Sequence, residues 1–575
     1  MADLAPHIYE FGDFRIDAAK ALLVRKGEPV ALTPKVFETL LYLVRRQGDL
    51  VEKDELIRAV WPDTVVEENN LNQNISTLRR VLGESRGENR YIVTVPGRGY
   101  RFVASVRTPP VSAAAPSTRT LAVLPFKPLT ADLRDEALEM GMADTLIARL
   151  SSSRGTTVRP LSSVRKYGSL EQDALAAGRE LAVESVLDGS IQRNGNHIRV
   201  TARLVQVSDG TSLWAGTFDE EFTDVFAVQD TISEKVAAAL ALGLSQEEKQ
   251  RLTRRYTENV EAYHCYLKGR YQIGKVTRPA ITKGIEFFQQ AIDIDPTYAL
   301  AFAGVAEAYR RLPITSDVAP MEAFPRAKAA ALKALEIDEN ITDAHLALGF
   351  IRLWFDWDWA GADREFKRAI ELNPSSGEAH MGYAALLSAV GRHREAVTEG
   401  QRAIDADPLS LLVNANQAQF LHWARRDDEA RLQADKTLEM DAGFWIAHLA
   451  LGRVHIQAGE YEKAIAALTK ARDSSGGNSE TISLIGYAWA RAGDRAQALA
   501  VVDELKSRFA GRYLPPHSIA VIYHGLGDKD ETFKWLENAY DERDVRLTFL
   551  KIDPKWDAIR SEPQFGALLR GMGLE

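Results

Sequence analysis

The fold of the N-terminal region is decided by residues 69–84, which read NNLNQNISTLRRVLGE. Apolar residues recur here with the i, i+4, i+7 and i+11 spacing of one helix face: Leu71, Ile75, Leu78 and Leu82. The spacing predicts a helix over residues 69–82 with a single buried stripe. The other side carries amides and hydroxyls and, from Asn69 to Arg80, no carboxylate. A surface helix of an ordinary protein would usually mix Glu and Lys, so this face favours contact with nucleic acid.

The polar side of this helix supplies side chains that can hydrogen-bond to base edges in a major groove. The candidates for reading bases are Asn70, Gln73, Asn74 and Thr77. Arg79 and Arg80 follow towards the C-terminal end of the helix, where guanidinium groups suit phosphates. The local charge agrees, because residues 75–107 contain 7 basic and 2 acidic residues, a balance of 7 − 2 = +5, although the whole chain carries −9.

A hairpin is predicted directly after this helix. It consists of YIVTV (residues 91–95), the turn PGRG (96–99) and YRFVAS (100–105). Two glycines permit a tight turn and leave Arg98 at its tip, where the guanidinium can enter a minor groove or bind its rim. Tyr100 and Phe102 are expected to pack in the core against the helix.

The residues before the helix predict a small sheet and two further helices. Alternating runs over residues 8–17 and 21–32 indicate a short antiparallel sheet. Thr33-Pro34 then provides an N-cap and a proline at the first helical position, which opens a helix from residue 34 to about 47. A second helix is predicted over 53–60, followed by a loop over 63–68.

Together these elements resemble the OmpR/PhoB-type winged helix over residues 8–104, with NNLNQNISTLRRVLGE and YIVTVPGRGYRFVA as its most specific motifs. The resemblance implies that the third helix reads the major groove and that the wing contacts DNA. By position, the four candidates named above become base readers, and Arg79, Arg80 and Arg98 become phosphate or minor-groove contacts. The loop over 63–68 becomes a candidate contact for RNA polymerase.

The position of this domain in the chain departs from the phosphorelay members of that family. Response regulators carry a phospho-acceptor receiver before the winged helix, whereas seven residues precede it here. The arrangement is closer to CadC- and ToxR-like regulators, which then cross a membrane. This sequence contains no run of 18 or so apolar residues and no signal-peptide pattern, so we expect a cytoplasmic, bacterial protein without a membrane partner.

A linker and a second domain follow the winged helix. Residues 108–118 read TPPVSAAAPST, which is typical of a linker between a first domain over 1–107 and a second over 119–245. TLAVLPF (120–126) predicts a buried strand, VRPLSSV (158–164) another, and NGN and SDG turns predict a meander after residue 185. Helices are predicted over about 135–151 and 172–181. The region resembles a TolB- or FlgO-like α+β module.

Residues 256–575 repeat with a period of 34. Two of the repeating series are Gly391, Gly459, Gly493, Gly527 and Ala396, Ala430, Ala464, Ala498, with Arg425 in the one glycine position that is missing. Small residues at fixed spacing let antiparallel helices approach closely. The pattern resembles the tetratricopeptide repeat and predicts about eight repeats in an all-α superhelix, with residues 551–565 in a capping segment.

A superhelix of this kind has a concave face that normally receives a protein or peptide segment. We expect the first helix of each repeat to project residues into that groove: Gln419, His422, Arg453, Gln457, Tyr487 and Arg491. Arg453 and Arg491 could hold a carboxylate-bearing partner. The alternative is that these are ordinary solvated side chains or side chains bonded within the repeats.

Catalytic motifs are missing from the sequence. It contains no phosphate-binding loop, no G-x-G-x-x-G after a strand and no H-E-x-x-H, and its single cysteine, Cys265, excludes a cysteine-rich zinc site. We therefore expect no enzymatic activity, metal or cofactor.

The sequence thus predicts a multidomain protein: an α+β winged helix, an α+β middle domain and an all-α repeat array. The favoured function is a sequence-specific transcriptional regulator that binds double-stranded promoter DNA, self-associates on adjacent half-sites and receives a protein signal through the array. One alternative is an interaction scaffold whose winged helix docks proteins. A second is an enzyme with an unrecognised site in residues 119–245.

Overall fold

The computed structural model describes residues 8–17, 22–25, 28–30, 32–61, 66, 68–84, 88–106, 119–128, 135–151, 156–168, 173–221, 225–240, 242, 255–275 and 277–574. The chain forms two compact units, Met1–Ser117 and Thr118–Glu575. The predicted linker over 108–118 and residues 63–65 and 67 of the predicted loop lie outside the described residues, as does most of the stretch between the predicted second domain and the repeats.

The first unit contains two sheets and three helices. Four short antiparallel strands in the order β1-β2-β3-β4 form the first sheet: β1 Ile8–Phe11, β2 Phe14–Asp17, β3 Leu22–Arg25 and β4 Glu28–Val30. Then follow α1 Pro34–Arg45, β5 Val51–Glu52, α2 Lys53–Val60, α3 Glu68–Leu82, β6 Ile92–Val95 and β7 Gly99–Phe102. The last three strands form the second sheet in the order β5-β7-β6. This order confirms the predicted α+β winged-helix architecture.

An aromatic cluster joins the N-terminal sheet to the hairpin. The ring of Phe11 lies 5.7 Å from Phe14, 5.8 Å from Tyr91 and 5.0 Å from Phe102, measured between centroids. The four apolar residues of the α3 stripe are all buried. Thr33 holds the N-cap position of α1, but its side chain makes no capping hydrogen bond. The unit thus has its own core, which α3, the hairpin and the N-terminal sheet share.

The second unit begins with a five-stranded mixed sheet in the order β12-β11-β10-β8-β9. Its strands are β8 Arg119–Val123, β9 Thr156–Val158, β10 Ser185–Asn194, β11 His197–Gln206 and β12 Ser212–Glu221. Its helices are α4 Glu136–Leu150, α5 Leu161–Val164, α6 Ala174–Glu180 and α7 Val225–Ala239. Strand β8 is parallel to both neighbours, and β10, β11 and β12 form the predicted antiparallel meander.

One predicted strand of this domain is wrong. Residues 158–164 do not continue as a strand, because β9 ends at Val158 and α5 begins at Leu161. Pro160 lies between them at the N-cap of α5 with φ of −71°. Proline has no backbone N–H for a sheet ladder and has the φ of a helix start, so the apolar run changes structure there.

Eight helix pairs follow over the described residues 255–275 and 277–574. The first helices are α8 Val260–Ile273, α10 Ala299–Thr315, α12 Thr342–Ile351, α14 Gly377–Ala389, α16 Leu411–Trp423, α18 Trp445–Gln457, α20 Ser479–Arg491 and α22 Pro516–Gly525. The second helices are α9 Arg278–Ile294, α11 Pro320–Ile337, α13 Trp359–Leu372, α15 His393–Ala406, α17 Asp427–Met440, α19 Tyr461–Ser474, α21 Arg495–Arg508 and α23 Lys529–Asp541. First helices of successive pairs pack on each other and line the inner side of the array. None of the helices in the described part of the chain is long and apolar enough to cross a bilayer.

The middle domain and the array share one hydrophobic core. A single cluster of buried residues runs from Leu121 in β8 to Ala323 in α11. Helix α4 packs on α8, where a Cβ at Gly141 would approach the side chain of Leu267 to 2.3 Å. Arg159 donates to the backbone carbonyls of Asp405 and Ala406 at 2.9 and 3.0 Å, at the end of α15. A guanidinium there satisfies carbonyls that the helix leaves open.

The chain after α23 returns across the array. It forms 3-10 turns over Val545–Phe549 and Pro554–Ile559 and a last helix, α24 Pro563–Gly571. We call residues 544–574 the C-terminal segment. Its Phe549 stacks on Trp423 of α16 with ring centroids 4.1 Å apart, and the Met572 carbonyl accepts from Trp359 Nε1 at 2.7 Å. Because these partners lie in two different repeats, the segment bridges the array and does more than cap its end.

Candidate nucleic-acid interface

The outward face of α3 presents polar side chains to solvent. Asn70, Gln73 and Arg80 are exposed, and Thr77 is half-buried. They lie opposite the buried stripe, because the spacings of three, four and seven residues between them match the helical period. This part of the predicted site is brought together on one helix face. Asn69 shares the exposed face and was not among the predicted residues. It could have been included, because it is an amide residue directly before Asn70 in the same helix.

Asn74 differs from the rest of the predicted set, because its side chain has partners within the domain. Its Nδ2 donates to the Lys35 carbonyl at 3.2 Å and to Thr39 Oγ1 at 3.1 Å, both in α1. The residue follows Leu71 by three positions and precedes Leu78 by four, which places it beside the buried stripe and towards α1. Its amide therefore holds α3 on α1, and its role as a base reader stays a prediction.

Arg79 also has partners within the domain. Its Nη2 donates to the Ile92 carbonyl at 2.9 Å and to Thr94 Oγ1 at 2.8 Å, both in β6. Its Nε lies 3.7 Å from a carboxylate oxygen of Glu84, whose side chain is buried and accepts from the backbone N–H groups of Tyr91 and Ile92. Arg79 therefore joins α3 to the hairpin, and its predicted phosphate contact stays a prediction.

Arg98 lies at the tip of the wing, as predicted. Its backbone N–H donates to the Val95 carbonyl at 3.0 Å, and Gly97 before it has φ of +71°, a region that favours glycine. A Cβ at Gly99 would lie 2.0 Å from the Val51 carbonyl oxygen, so this glycine is required for β7 to pair with β5. The turn is thus fixed from both sides, and the Arg98 side chain is exposed.

The aromatic residues of the wing are core, as predicted. Phe102 is fully buried, and Tyr100 is buried with its hydroxyl donating to Asn72 Oδ1 at 2.6 Å. Burial raises the pKa of Tyr100, so the phenol stays protonated as a donor. Alternation along β7 leaves Arg101 exposed between them, a basic residue that the sequence interpretation passed over.

The interface has more positive charge than its own carboxylates neutralise. Within the described part of the chain, Arg80 and Arg98 have no ion-pair partner, whereas Lys53 pairs with Glu68 at the start of α3. Arg80 lies on the same helix face as the amides and Arg98 at the wing tip, and exposed guanidinium groups of this kind suit phosphate oxygens. Across the described residues, no three His, Cys, Asp or Glu side chains converge as a metal site.

Removing the Asn74 amide should lower the stability of the first unit more than it lowers discrimination between bases. We expect Asn74→Ala to lower the free energy of unfolding of this unit by about 1–3 kcal/mol, since two partly buried hydrogen bonds are lost. Hydrogen exchange of the full chain should show faster exchange in peptides from α1 and α3. Unchanged exchange together with a base-specific loss of affinity would restore Asn74 as a base reader.

Three of the six predicted groove residues are buried, and two of these bond within the array, as in the alternative given above. His422 is buried with its Nδ1 2.6 Å from Asp427, Arg453 is buried and paired with Glu480, and Tyr487 is buried. Burial raises the pKa of Tyr487 to about 12. Among the other three, Gln457 and Arg491 are exposed and Gln419 is half-buried. Periodicity identified the first helices, but it carried no information on what lies over them.

The covering contacts come from the second 3-10 turn of the segment. The Lys555 carbonyl accepts from His524 Nε2 at 2.6 Å, and the Trp556 ring lies 4.9 Å from His524 and 5.7 Å from His517, measured between centroids. Burial by itself would raise the pKa of Asp553, but the positive charges of Lys555 and Arg453 hold it well below its usual range. The groove is thus occupied by apolar and ionic contacts from the same chain.

Three family models match the chain, one for each region. "Transcriptional regulatory protein, C terminal" matches residues 27–102, "HilA/YgeH-like transcriptional regulator, second domain" matches 117–235, and "Tetratricopeptide repeat" matches 447–472. The fold, the exposed face of α3 and these models define the class of protein: a DNA-binding transcriptional regulator with an OmpR/PhoB-type winged helix, a HilA-like second domain and a TPR-like helical array. The resemblance of the middle domain to TolB or FlgO remains a prediction.

Within this class, the chain is similar to the transcriptional regulator HilA of Salmonella typhimurium, with 26% identity over 425 residues, 73% of this chain and 74% of that protein. It is also similar to "Putative adenylate cyclase 3" of Rhizobium meliloti, with 28% identity over 258 residues, 43% of each chain. The solved DNA-binding domain of Escherichia coli CadC is 28% identical, with a TM-score of 0.17; the match covers 18% of this chain and 95% of that one.

Proposed function

We propose that the protein is a sequence-specific regulator that inserts α3 into the major groove of promoter DNA and sets its wing against the flanking backbone. One observation carries the proposal: the solvent face of α3 is built from Asn70, Gln73, Thr77 and Arg80. Within the described residues, Arg80 and the exposed Arg98 at the wing tip have no ion-pair partner. Amides pair with adenine edges, hydroxyls pair with several bases, and arginines neutralise phosphates.

The finer parts of the proposal concern partners. A single winged helix contacts few base pairs, so we infer that two copies bind adjacent half-sites. Residues 63–68 are proposed as a contact for RNA polymerase. The array is proposed to receive the protein or peptide signal. Because the C-terminal segment covers His422, Arg453 and Tyr487, a peptide entering that groove must compete with the segment.

A salt titration of DNA binding tests the central proposal. We expect Arg80→Ala and Arg98→Ala each to weaken binding of the full chain and to reduce the slope of log K against log salt by about 0.9, the contribution of one phosphate contact. Gel shifts at several salt concentrations give both quantities. Arg15→Ala is a matched control, because Arg15 is exposed on β2 and 3.9 Å from Glu10.

The same titration separates DNA binding from the scaffold alternative. If the winged helix docks proteins and does not bind DNA, the full chain shows little affinity for any duplex at low salt and both substitutions leave that affinity unchanged. The control variant should behave as the unsubstituted chain under either hypothesis.

A further inference from the structure

The mixed sheet of the middle domain has an open edge. Strand β12 is the last strand in the order β12-β11-β10-β8-β9, and no strand among the described residues pairs with its outer side. Seven of its ten residues are exposed, and the other three, Trp214, Gly216 and Phe218, are half-buried. At the opposite edge β9 is covered, because its Thr156 carbonyl accepts from Ser375 Oγ of the array at 3.3 Å. Every second residue of β12 therefore directs its backbone N–H and C=O groups away from the sheet.

The middle of this strand lacks the features that usually protect a sheet edge. Natural edge strands are protected by shortness, by lysine or proline, by inward charges or by a bulge. A bulge lies at the start of β12, where Leu213 is an extra residue without a counterpart on β11, and acidic residues 219–221 lie at its end. Between them, residues 214–218 read WAGTF and contain neither a charge nor a proline. These five residues can accept a further strand.

The charges of β12 select the direction in which a second β12 can pair with it. In an antiparallel pair centred on Gly216, residues 219–221 of each copy face residues 211–213 of the other, which read TSL and carry no charge. In a parallel pair the two acidic ends would lie side by side and repel each other. The strand is thus complementary in charge to an antiparallel copy of itself.

The side chains agree with the same centre. On the half-buried face, a Cβ at Gly216 would lie 2.8 Å from the Trp214 ring and 3.3 Å from the Phe218 ring, so both rings border this glycine. The antiparallel centre places Trp214 of each copy opposite Phe218 of the other, an aromatic cross-strand pair that is made twice. On the exposed face it places Ala215 opposite Thr217, two small side chains that do not clash. Both faces therefore fit the pairing.

We propose that two copies of the chain associate through antiparallel pairing of their β12 strands, which joins their two mixed sheets into one continuous sheet. The inference deepens the proposed self-association on adjacent half-sites and rests on that function only for its role, because the pairing itself requires no DNA. One strand edge is a small interface, so the association is weak in solution and becomes effective when two half-sites hold the copies close together.

Sedimentation velocity of the full chain without DNA tests the pairing. We expect a monomer–dimer equilibrium, and hydrogen exchange in residues 212–221 that slows as the protein concentration rises, because pairing protects the outer amides. Ala215→Glu combined with Thr217→Glu should weaken the dimer by about tenfold or more, since the antiparallel centre then sets two pairs of carboxylates against each other. Both residues are exposed, so the fold of each copy is expected to survive.

A variant of opposite charge is the matched control. Ala215→Glu combined with Thr217→Lys sets a carboxylate opposite an ammonium group twice in the antiparallel pair, so we expect a dimer at least as strong as that of the unsubstituted chain. In a parallel pair both double variants would set like charges together. The proposal is overturned if both variants weaken the dimer equally, or if the doubly acidic variant dimerises normally.

The unsubstituted chain decides the matter should a variant fail to fold. A chain that stays monomeric at every concentration, with unchanged exchange in residues 212–221, overturns the proposal and leaves the edge for a strand of another protein. DNA binding is measured separately by gel shift. A chain that binds an operator without forming a dimer overturns the pairing and leaves the proposed function, whereas a dimer that binds no duplex contradicts the proposed function and leaves the pairing.

Discussion

Replacing Asn70 and Gln73 together with alanine is expected to remove the preference of the protein for its own operator and to leave its non-specific binding intact. A good bidentate amide–base pair contributes about 1–3 kcal/mol of discrimination, so losing two should cost roughly a hundredfold in specific affinity. Both residues are exposed on α3, outside the buried stripe, so the fold should be unaffected.

The measurement has two stages. Genome-wide capture of bound fragments with the unsubstituted chain gives the operator, and competition gel shifts then compare that operator with a scrambled duplex. Asn416→Ala is a suitable amide control, because Asn416 lies in the array and bonds its own helix at Leu412. An operator preference that survives the double substitution would contradict the assignment of base recognition to this face of α3.

Trp556→Ala is expected to release the C-terminal segment from the inner side of the array. Trp556 is fully buried against His517 and His524, and truncating such a side chain costs about 3–5 kcal/mol. Urea unfolding of the full chain should report the loss of stability. Hydrogen exchange should rise in residues 545–559 and in the peptides of α20 and α22 that the segment covers.

A second tryptophan provides the control for this prediction. Trp535 lies on α23, is half-buried and donates to Glu531 at 3.1 Å within its own helix. We expect Trp535→Ala to cost less and to leave exchange in residues 545–559 unchanged. Equal effects of the two substitutions would mean that Trp556 is ordinary packing and that the segment is not held over the groove by it.

The sequence predicted the exposure of the polar residues of α3 correctly where the helix period alone decides it. Asn70, Gln73 and Arg80 lie opposite the apolar stripe, and Arg98 lies between two glycines at the hairpin tip, so no tertiary information was needed to place them. Asn74 and Arg79 lie on the two flanks of the stripe. At the flanks, the neighbouring element decides whether a side chain is available. Asn74 donates to a carbonyl of α1, and Arg79 donates to a carbonyl of β6.

In the array too, local periodicity predicted one part of the structure, and contacts between distant segments decided the rest. Its period of 34 predicted the helix pairs, because each repeat buries its small residues against the next. The return of residues 544–574 over the first helices has no period, and some of its partners lie more than a hundred residues away, as in the pairing of Trp423 with Phe549.

What the sequence alone determined is therefore everything that depends on neighbours along the chain: the helix face of α3, the wing turn and the repeats. The tertiary structure decided which polar side chains remain available, that the middle domain shares a core with the first repeats, and that the inner side of the array is filled by its own C-terminal segment. The reason is physical. Local periodicity fixes which way a side chain points, but only the packing of distant segments fixes what it meets there.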